Sequence, residues 1–541
     1  MKPDQTKSRD VLLSMTDIHI EGYSDDKWHQ IVKGVSLELR RGEVLGLIGE
    51  SGAGKSTLGL AAMGFARPGC RITSGQISFD GQNLLSLSEA ERRALRGGRI
   101  AYVAQSAAAS FNPAHRLLDQ TIEATLRSTD SSAADAHKDA VQLYDTLQLP
   151  SPQTIGDRFT HQVSGGQLQR VMTAMAMSPR PDLIIFDEPT TALDVTTQVE
   201  VLAAIRDIVS RFNTAAIYIT HDLAVVAQMA DKIKVLRYGQ TIEDAPTRQM
   251  LADPQQPYTK SLWAVRSIQR DQRASGDIIL SMQGVDARYG KGDKVLDDVS
   301  IDLPRGRTVA VVGESGSGKS TAARVITGLL PQEAGQVTFK GQRLPAALKQ
   351  RSRTQLQQIQ MIYQMADTAL NPRHKVREII GRPLEFYLGL TGSARDQRIF
   401  ELLAMIELDE SFADRLPEEL SGGQKQRICI ARALAAEPEV IICDEVTSAL
   451  DQIVQEGILK LLLSLQERLG LSYLFITHDI ATVRAIADEI VVMFMGKVVE
   501  QGPKQQIFTP PHPDYTELLL SSVPDMDPDW LTGLLTTRAG S

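Results

Sequence analysis

The sequence lacks the features that mark a membrane-spanning or secreted chain. No apolar run approaches the roughly 18 to 20 residues that a membrane helix needs, and the longer runs, such as residues 182–186, have the length of strands. We therefore expect the chain not to cross a bilayer. Residues 1–10 are polar and of mixed charge, without the apolar stretch of a secretory signal, which favours a cytosolic location.

Cysteine and net positive charge are also scarce. The chain has 3 cysteines, Cys70, Cys429 and Cys443, without a CxxC or Cys/His grouping, so we expect neither a disulfide framework nor a zinc site. Cys443 lies in an apolar run and is predicted to be a buried small hydrophobic residue. The formal net charge of -8 gives no basic surface of the kind that nucleic-acid-binding proteins carry.

The length and composition indicate a globular protein with more than one core. The 541 residues exceed what one hydrophobic core usually organises, and the balance of 42% hydrophobic and 23% charged residues is that of an ordinary folded protein. Two domains are the simplest expectation.

An internal repeat confirms that expectation at the level of motifs. GESGAGKS at 49–56 returns as GESGSGKS at 313–320, an offset of 264 residues between the two lysines. Three further motifs return at an offset of 257 residues. They are SGGQLQR at 164–170 and SGGQKQR at 421–427, FDEPTTALD at 186–194 and CDEVTSALD at 443–451, and ITHDLA at 219–224 and ITHDIA at 476–481. The chain is therefore predicted to contain the same domain twice.

The repeat and the composition between its copies predict the domain boundaries. We expect a first domain at 10–266, a charged linker with Gly and Ser at 267–278, a second domain at 279–525 and a C-terminal tail at 526–541. Within each domain, apolar runs such as 44–49, 99–104, 183–187 and 215–220 alternate with helix-like segments. This alternation predicts an α/β fold with a largely parallel sheet flanked by helices.

The glycine-rich motif predicts a phosphate-binding loop. It follows an apolar strand and precedes a predicted helix at 56–65, so its backbone N–H groups and the positive helix N-terminus would face the same anion. Lys55 can then reach the β and γ phosphates of a nucleotide, and the Ser56 hydroxyl can bind Mg²⁺. Lys319 and Ser320 repeat the arrangement in the second domain.

An acidic pair follows a buried strand in each half. Successive strand side chains face opposite ways, so Asp187 and Glu188 are predicted to point at different atoms. Asp187 fits the metal-side carboxylate of a P-loop nucleotidase, and Glu188 is free to polarise the attacking water. Asp444 and Glu445 are the equivalents.

The SGGQ motif with QR after it, some twenty residues before the acidic pair, resembles the signature motif of ABC ATPases. The resemblance implies two tandem nucleotide-binding domains, each with a RecA-like core, an antiparallel β subdomain and a helical signature subdomain. It also implies that each signature acts on the nucleotide of the opposite domain. Ser421, Gly423 and Gln424 would complete the site of Lys55, and Ser164, Gly166 and Gln167 would complete that of Lys319.

The resemblance assigns roles to further residues. The catalytic residues would be Glu188, Glu445 and the switch histidines His221 and His478. In the first half the nucleotide-binding residues would be Tyr23, Gly49, Ser51, Gly52, Gly54, Lys55, Ser56, Thr57, Gln105, Ser164, Gly165, Gly166, Gln167 and Asp194. In the second half they would be Tyr289, Gly313, Ser315, Gly316, Gly318, Lys319, Ser320, Thr321, Gln364, Ser421, Gly422, Gly423, Gln424 and Asp451. The metal would be held by Ser56, Gln105, Asp187, Ser320, Gln364 and Asp444. Trp28 competes with Tyr23 as the aromatic residue that stacks on adenine.

Both halves keep every acidic, histidine and signature position, so two hydrolytically competent sites are predicted. The departures from the family pattern are Val163 in place of leucine before SGGQ and Val446 in place of proline after the catalytic glutamate. Because Val446 alters the path from Glu445 into the next loop, any asymmetry between the sites should favour the one that contains Glu188.

Two classes of ABC protein combine ATPase motifs with no membrane span. One is the motor of a transporter whose membrane subunits are separate chains, and the other is a soluble translation or repair factor. Translation factors carry a long charged helical insert between the domains, whereas the linker here has about ten residues. Repair factors carry zinc-binding cysteine clusters or long coiled coils, and the sequence contains neither.

The tails of the two halves favour transport. Residues 253–263 and 510–524 resemble the Pro-Tyr-Thr tail of the oligopeptide, dipeptide and nickel permease group, and FNP at 111–113 and LNP at 370–372 also resemble this group. The Asp-Pro step that usually follows Gln105 and Gln364 is missing. The resemblance covers nearly the whole chain, except for about the first ten residues, the linker and the last fifteen.

The resemblance implies a bacterial uptake system. ATP and Mg²⁺ are the expected cofactors, and no iron-sulfur cluster is expected because the chain lacks the cysteine cluster that holds one in some relatives. The expected partners are two transmembrane permease subunits and an extracytoplasmic solute-binding protein, with no nucleic acid. The chain would lie at the cytoplasmic face of the inner membrane and touch it only through the permeases. Peptide is the commonest cargo of the group; metal chelates, opines and oligosaccharides are the alternatives.

Overall fold

The computed structural model describes residues 10–540 apart from residues 25, 191–192, 265–272, 274–275 and 449. These residues form two compact units. The first lies within 1–193, 197–264 and 524–541, and the second within 194–196 and 265–523. Most of the linker predicted at 267–278 lies outside the described residues. Among the helices of the described part, none is long and apolar enough to cross a membrane.

The first unit contains two sheets. Its strands are β1 Val11–Ser24, β2 Lys27–Arg40, β3 Val44–Ile48, β4 Cys70–Phe79, β5 Gln82–Asn83, β6 Ile100–Val103, β7 Leu183–Asp187, β8 Ala215–Ile219, β9 Lys232–Arg237 and β10 Gln240–Pro246. An antiparallel sheet has the order β2-β1-β4-β5, and a six-stranded sheet has the order β10-β9-β3-β8-β7-β6. In the six-stranded sheet all neighbours are parallel except β10, which runs antiparallel to β9.

Helices flank these sheets. In the chain up to residue 264 they are α1 Lys55–Ala61, α2 Glu89–Leu95, α3 Ala107–Ser110, α4 Leu117–Ser128, α5 Ala133–Thr146, α6 Gly165–Met177, α7 Val195–Phe212, α8 Leu223–Met229, α9 Thr247–Ala252 and α10 Pro257–Ala264. Helices α3 to α6 form the helical part that carries the SGGQ motif.

The second unit repeats this architecture. Its strands are β11 Ile278–Arg288, β12 Lys294–Pro304, β13 Thr308–Val312, β14 Ala334–Phe339, β15 Gln342–Arg343, β16 Ile359–Ile362, β17 Val440–Asp444, β18 Ser472–Ile476, β19 Glu489–Phe494 and β20 Lys497–Pro503. The antiparallel sheet has the order β12-β11-β14-β15, and the six-stranded sheet has the order β16-β17-β18-β13-β19-β20.

The remaining helices follow the same order. In the second unit they are α11 Lys319–Ile326, α12 Arg353–Gln358, α13 Ala366–Ala369, α14 Val376–Pro383, α15 Gly392–Met405, α16 Gly422–Leu434, α17 Gln452–Leu469, α18 Ile480–Ile486, α19 Lys504–Ile507 and α20 Asp514–Ser521. The last helix, α21 Trp530–Gly540, belongs to the first unit.

The burial of the strands explains the two kinds of sheet. Every residue of β3, β7 and β8 is buried, as expected for central parallel strands covered on both faces. The C-terminal half of β2 alternates buried and exposed residues, which suits an antiparallel sheet with one face in solvent. This α/β fold class was predicted and is confirmed.

The observed elements differ from the predictions at their ends. The helix predicted at 56–65 begins one residue earlier, at Lys55, and ends at Ala61. It ends early because the chain turns at Gly64, whose backbone is in the left-handed region at φ 61°. The parallel strands bring the phosphate loop, the acidic pair and the histidine that is predicted to be the switch residue to one edge of the sheet, because all three follow the carboxyl ends of strands.

Candidate functional site

The phosphate loop of each unit is organised around its lysine. Lys55 is buried, and its Nζ donates to the carbonyl oxygens of Gly49 and Glu50 at 2.7 and 2.9 Å. Lys319 makes the same two bonds to its own loop, both at 2.7 Å. Burial lowers the pKa of Lys319, although surrounding carboxylates oppose that shift. Each ammonium group is thus held at the mouth of a loop that is shaped for an anion.

The first glycine of the loop cannot be replaced without moving the backbone. Gly49 has φ 147°, and a Cβ there would lie 2.1 Å from the carbonyl oxygen of Leu236. Gly313 has φ 146°, and its Cβ would lie 2.1 Å from the carbonyl oxygen of Met493. Both the backbone conformation and the space therefore require glycine.

A serine and an aspartate meet beside each phosphate loop. The Ser56 hydroxyl donates to Asp187 Oδ1 at 2.8 Å, and the Ser320 hydroxyl donates to Asp444 Oδ1 at 2.9 Å. Burial raises the pKa of Asp444, and the Ser320 bond opposes the shift. A hydroxyl and a carboxylate at this position are the oxygen donors that Mg²⁺ prefers, so each pair fits a magnesium ion.

The two aspartates differ in a neighbour that sequence reasoning missed. The Tyr102 hydroxyl donates to the second oxygen of Asp187 at 2.5 Å, and burial together with this bond raises the pKa of Tyr102 above its usual value. The equivalent residue in the second unit is Met361, which has no hydroxyl. Tyr102 and Met361 occupy the same position on β6 and β16, so their difference is visible in the sequence once the repeats are aligned.

Glu188, which is predicted to be the catalytic glutamate of the first unit, is held by two side chains. Gln105 Nε2 donates to Glu188 Oε2 at 3.1 Å, and His221 Nδ1 lies 3.1 Å from Glu188 Oε1. Burial opposes the charged form of His221, but the hydrogen bond and charge of Glu188 outweigh it and raise the pKa of this histidine. Gln105 was predicted to bind both nucleotide and metal, and in this structure its amide contacts the glutamate.

The second unit builds the same cluster. Gln364 Nε2 donates to Glu445 Oε2 at 2.6 Å, and His478 Nδ1 lies 3.5 Å from Glu445 Oε1. The pKa of Glu445 is lowered, because His478 and Lys319 outweigh the effect of burial. The pKa of His478 is raised, because Glu445 again outweighs burial.

The backbone of both glutamates is in the left-handed region. Glu188 and Glu445 each have φ 50°, whereas β7 and β17 end one residue earlier, at Asp187 and Asp444. The alternation of strand side chains, which we used to predict that the two acids diverge, is therefore the wrong reason. They diverge because the chain leaves the strand between them, in a conformation that costs about 1 kcal/mol or more for a residue with a Cβ.

The signature motif opens a helix with a reciprocal cap. The Ser164 hydroxyl accepts a bond from Gln167 N at 3.3 Å, and Gln167 Oε1 accepts one from Ser164 N at 3.1 Å. Ser421 and Gln424 repeat this capping box at the start of α16. The serine and glutamine thus fix the helix start from which the first N–H groups emerge.

Small residues are required in the first turn of each signature helix. A Cβ on Gly166 would lie 2.3 Å from the side chain of Thr197, and one on Gly423 would lie 2.4 Å from that of Val454. The preceding glycines, Gly165 and Gly422, have more room. The second glycine of the motif is therefore set by packing against a neighbouring helix.

The candidate adenine-stacking residues are exposed. Tyr23 and Trp28 face each other across β1 and β2 with ring centroids 5.3 Å apart, and the Arg71 guanidinium lies 4.0 Å from the Trp28 centroid. In the second unit the Tyr289 hydroxyl lies 3.3 Å from Thr321 Oγ1. Both Tyr23 and Trp28 are accessible, so the competition between them stays open.

Two other predicted residues, Asp194 and Asp451, lie directly before a helix. Asp451 caps α17 by accepting a bond from Val454 N at 3.1 Å, and Asp194 accepts one from the Thr196 hydroxyl at 2.7 Å. The remaining ones lie in the two phosphate loops or in the first turns that follow them: Ser51, Gly52, Gly54, Thr57, Ser315, Gly316 and Gly318.

The two tails, with Pro257-Tyr258-Thr259 in the first half and Asp514-Tyr515-Thr516 in the second, contact the phosphate loops. Sequence reasoning missed this contact. The Tyr258 hydroxyl accepts a bond from Glu50 N at 3.3 Å, and the Tyr515 hydroxyl accepts one from Glu314 N at 2.9 Å. The ring of Tyr515 stacks on Phe494 with centroids 4.1 Å apart. The sequence alone indicates only that these tails resemble those of the permease group. The signal available in the sequence was the tyrosine at the same place in both repeats.

Two known protein families match the sequence. The family described as ABC transporter matches residues 32–191 and 296–448, and the one described as oligopeptide/dipeptide transporter, C-terminal region, matches residues 499–541. The second match reaches the end of the chain, so the expectation that the resemblance excludes the last fifteen residues was wrong.

Relatives match over nearly their whole length. The glutathione import ATP-binding protein GsiA of Salmonella paratyphi A is 37% identical, with 97% of this chain and 91% of the relative covered. The protein of the same name from Escherichia coli strain K12 is 35% identical, with 96% of this chain and 90% of the relative covered. The predicted family is thereby confirmed. The chain belongs to the ABC transporter family and is an ATPase with two ATP-binding cassettes and the C-terminal region of oligopeptide/dipeptide transporters.

Proposed function

We propose that this ATPase is the motor subunit of a bacterial importer for peptides or similar small solutes, and that it turns over ATP at two sites. The observation that carries the proposal is the cluster on each catalytic glutamate, in which one carboxylate is held by a glutamine and a histidine beside a lysine-centred phosphate loop. The relatives named for glutathione import make a tripeptide-sized cargo the first candidate. Metal chelates, opines and oligosaccharides remain the alternatives.

The lysine and the loop would bind the nucleotide. The backbone N–H groups of the loop and the ammonium of Lys55 or Lys319 would contact the β and γ phosphates, as in other P-loop proteins. Ser56 with Asp187, and Ser320 with Asp444, would hold Mg²⁺, which neutralises charge on those phosphates when it is bound. Tyr23 or Trp28, and Tyr289, would stack on adenine.

The glutamate would activate the attacking water. The lowered pKa of Glu445 keeps its carboxylate ionised and able to accept a proton from water. Gln364 and His478 would orient that carboxylate, and Gln105 and His221 would do the same for Glu188. The raised pKa of each histidine favours a ring that can donate a hydrogen bond to the γ phosphate.

Both sites are proposed to hydrolyse ATP, the site of Glu188 being the faster. The test is the ATPase rate of Glu188→Gln and Glu445→Gln variants, each of which keeps the shape of the side chain and removes the base. We expect both variants to lose activity, with the larger loss for Glu188→Gln. Equal residual rates would overturn the asymmetry, and unchanged rates would overturn the assignment of these glutamates as catalytic bases.

The proposed partners are two transmembrane permease subunits and an extracytoplasmic solute-binding protein, and the proposed location is the cytoplasmic face of the inner membrane. The family membership implies permease partners in a transporter complex. The test is the ATPase rate of the complex reconstituted in vesicles with candidate cargo. Stimulation by glutathione or a dipeptide, and not by a nickel chelate, supports peptide import. A full rate in the absence of any permease, with no cargo response in the complex, favours a soluble ABC factor.

The domain boundaries at 10–266 and 279–525 stay predictions. Limited proteolysis tests them, because cleavage is expected first in the linker proposed at 267–278.

A further inference from the structure

The C-terminal segment, residues 524–540, is part of the first unit although it follows the second in sequence. Its last eleven residues form α21. An isolated helix of this length is marginal in water, so its order depends on the surface to which it is attached. That surface lies on α8 and on the elements beside it.

Gln228 is the centre of the attachment. This residue of α8 is 5% exposed, and its Nε2 donates to the carbonyl oxygens of Asp525 and Asp527 at 2.7 and 2.8 Å. Its Oε1 accepts a bond from Leu531 N at 3.0 Å. The amide thus uses both its N–H groups and its oxygen on the C-terminal segment. A side chain with any other arrangement of donors and acceptors would leave part of this set unpaired.

The bond to Leu531 also starts α21. The first N–H groups of a helix have no partner within the helix, and Gln228 supplies one for Leu531. Leu531 itself is completely buried. The same side chain therefore anchors the segment and caps its helix.

Weaker contacts flank this centre. Asp529 accepts two bonds from Arg248 Nη2 at 2.7 and 2.9 Å, in a pair that is largely exposed, and Arg206 Nη1 donates to the Thr532 hydroxyl at 3.1 Å. A groove of about 560 Å³ lies beside them, lined by both arginines, Gln228 and Pro528 among others. The segment is therefore held by a small set of polar bonds and by the buried Leu531 side chain, while most of its other residues are half-buried or exposed.

The sequence repeat gives independent support. Positions 257 residues after Gln228, Arg206 and Arg248 hold Ala485, Leu463 and Gln505. The repeat has thus kept the ATPase motifs in both halves but has the polar groups that bind the segment only in the first.

Helix α8, to which the C-terminal segment is attached, begins just after the histidine of the first catalytic cluster. His221 is followed by Asp222, which caps α8 by accepting a bond from Ala224 N at 2.9 Å. We propose that the C-terminal segment is a clasp that holds α8 through Gln228 and thereby positions His221 against Glu188 in the first site only. Gln228 is a positioning residue, since it contacts none of the reacting groups. The inference rests on the proposed roles of His221 and Glu188.

The first test is attachment, measured by amide hydrogen exchange on the full chain. In Gln228→Ala the amides of residues 530–538 are expected to exchange at least tenfold faster than in the parent, because α21 loses its cap and its anchor. Gln249→Ala, the same substitution at an exposed residue nearby, is the control and should leave them protected. Equal protection in Gln228→Ala and in the control would overturn the clasp.

The second test is coupling to turnover. In a Glu445→Gln background, in which turnover comes from the first site, Gln228→Ala and a chain ending at Val523 are expected to lower kcat for ATP on the order of tenfold, as small misplacements of catalytic groups do. KM should stay nearly unchanged, because the phosphate loop keeps its contacts. A chain that carries Gln228→Ala and also ends at Val523 should be no slower than the truncated chain alone, since both changes remove the same interaction. An additive loss, or a kcat equal to that of Gln249→Ala after α21 is released, would overturn the coupling. Failure of the proposed roles would differ, because Glu188→Gln would then keep the ATPase rate of the parent chain.

Discussion

Replacing Tyr515 by phenylalanine removes one hydroxyl group that the phosphate loop of the second unit uses. The hydroxyl accepts a bond from Glu314 N at 2.9 Å, and burial raises the pKa of Tyr515 to about 12, so the group stays neutral at physiological pH. The ring stacks on Phe494 and should keep its place in the variant. Only the tether between the tail and the loop is then lost.

The magnitude follows from the type of bond. A neutral hydrogen bond contributes about 1 kcal/mol net, which corresponds to about a fivefold change in an equilibrium constant. Without this hydrogen bond, the phosphate loop of some chains takes up other conformations. The apparent affinity for ATP then falls in proportion to the fraction of chains that keep the binding conformation. We therefore expect an ATP affinity up to about fivefold weaker for Tyr515→Phe. The corresponding bond of Tyr258 is longer, at 3.3 Å, so Tyr258→Phe should weaken binding by only about twofold.

The assay is equilibrium binding of ATP and Mg²⁺ by calorimetry, in a background of Glu188→Gln and Glu445→Gln that prevents turnover. The matched control is Tyr238→Phe, which makes the same chemical change at an exposed tyrosine. An affinity of Tyr515→Phe that equals that of the control would refute the argument that the tail orders the loop.

Three further predictions concern the first unit. Gly49→Ala should abolish ATP binding at the first site, measured by the same calorimetry, because its Cβ would lie 2.1 Å from a backbone carbonyl oxygen; binding at the second site serves as the internal control. Tyr102→Phe should lower the unfolding free energy by about 1 to 2 kcal/mol, because Asp187 loses a buried donor; no change in denaturant unfolding would contradict this. Asp80→Asn should lower it by no more than about 1 kcal/mol at pH 7, since the pair with Arg99 is partly exposed. Because Arg99 holds the pKa of Asp80 below its usual value, that difference should shrink as the pH falls below about 4 and vanish below the pKa of the folded state. A difference that persists at lower pH would contradict the assignment.

Much of the first cluster was readable from the sequence because its parts are local. The phosphate loop, the SGGQ cap and the acidic pair are each a short run whose chemistry depends on the order of neighbouring residues, such as Ser164 with Gln167 three positions later. The repeat then supplied their second copies. The left-handed backbone of Glu188 was not readable, because nothing in the residue type favours it and only the packing around the strand end imposes it.

The sequence by itself therefore determined the family, the fold class and the candidate residues of each cassette. Only the tertiary structure decided which residues make contacts with residues far away in the sequence. Gln105 bonds to Glu188 across 83 positions, the Pro-Tyr-Thr tyrosine reaches Glu50 across 208, and Gln228 reaches Asp525 across 297. No local pattern encodes such contacts, because they depend on how strands order in the sheet and on which helix packs beside which.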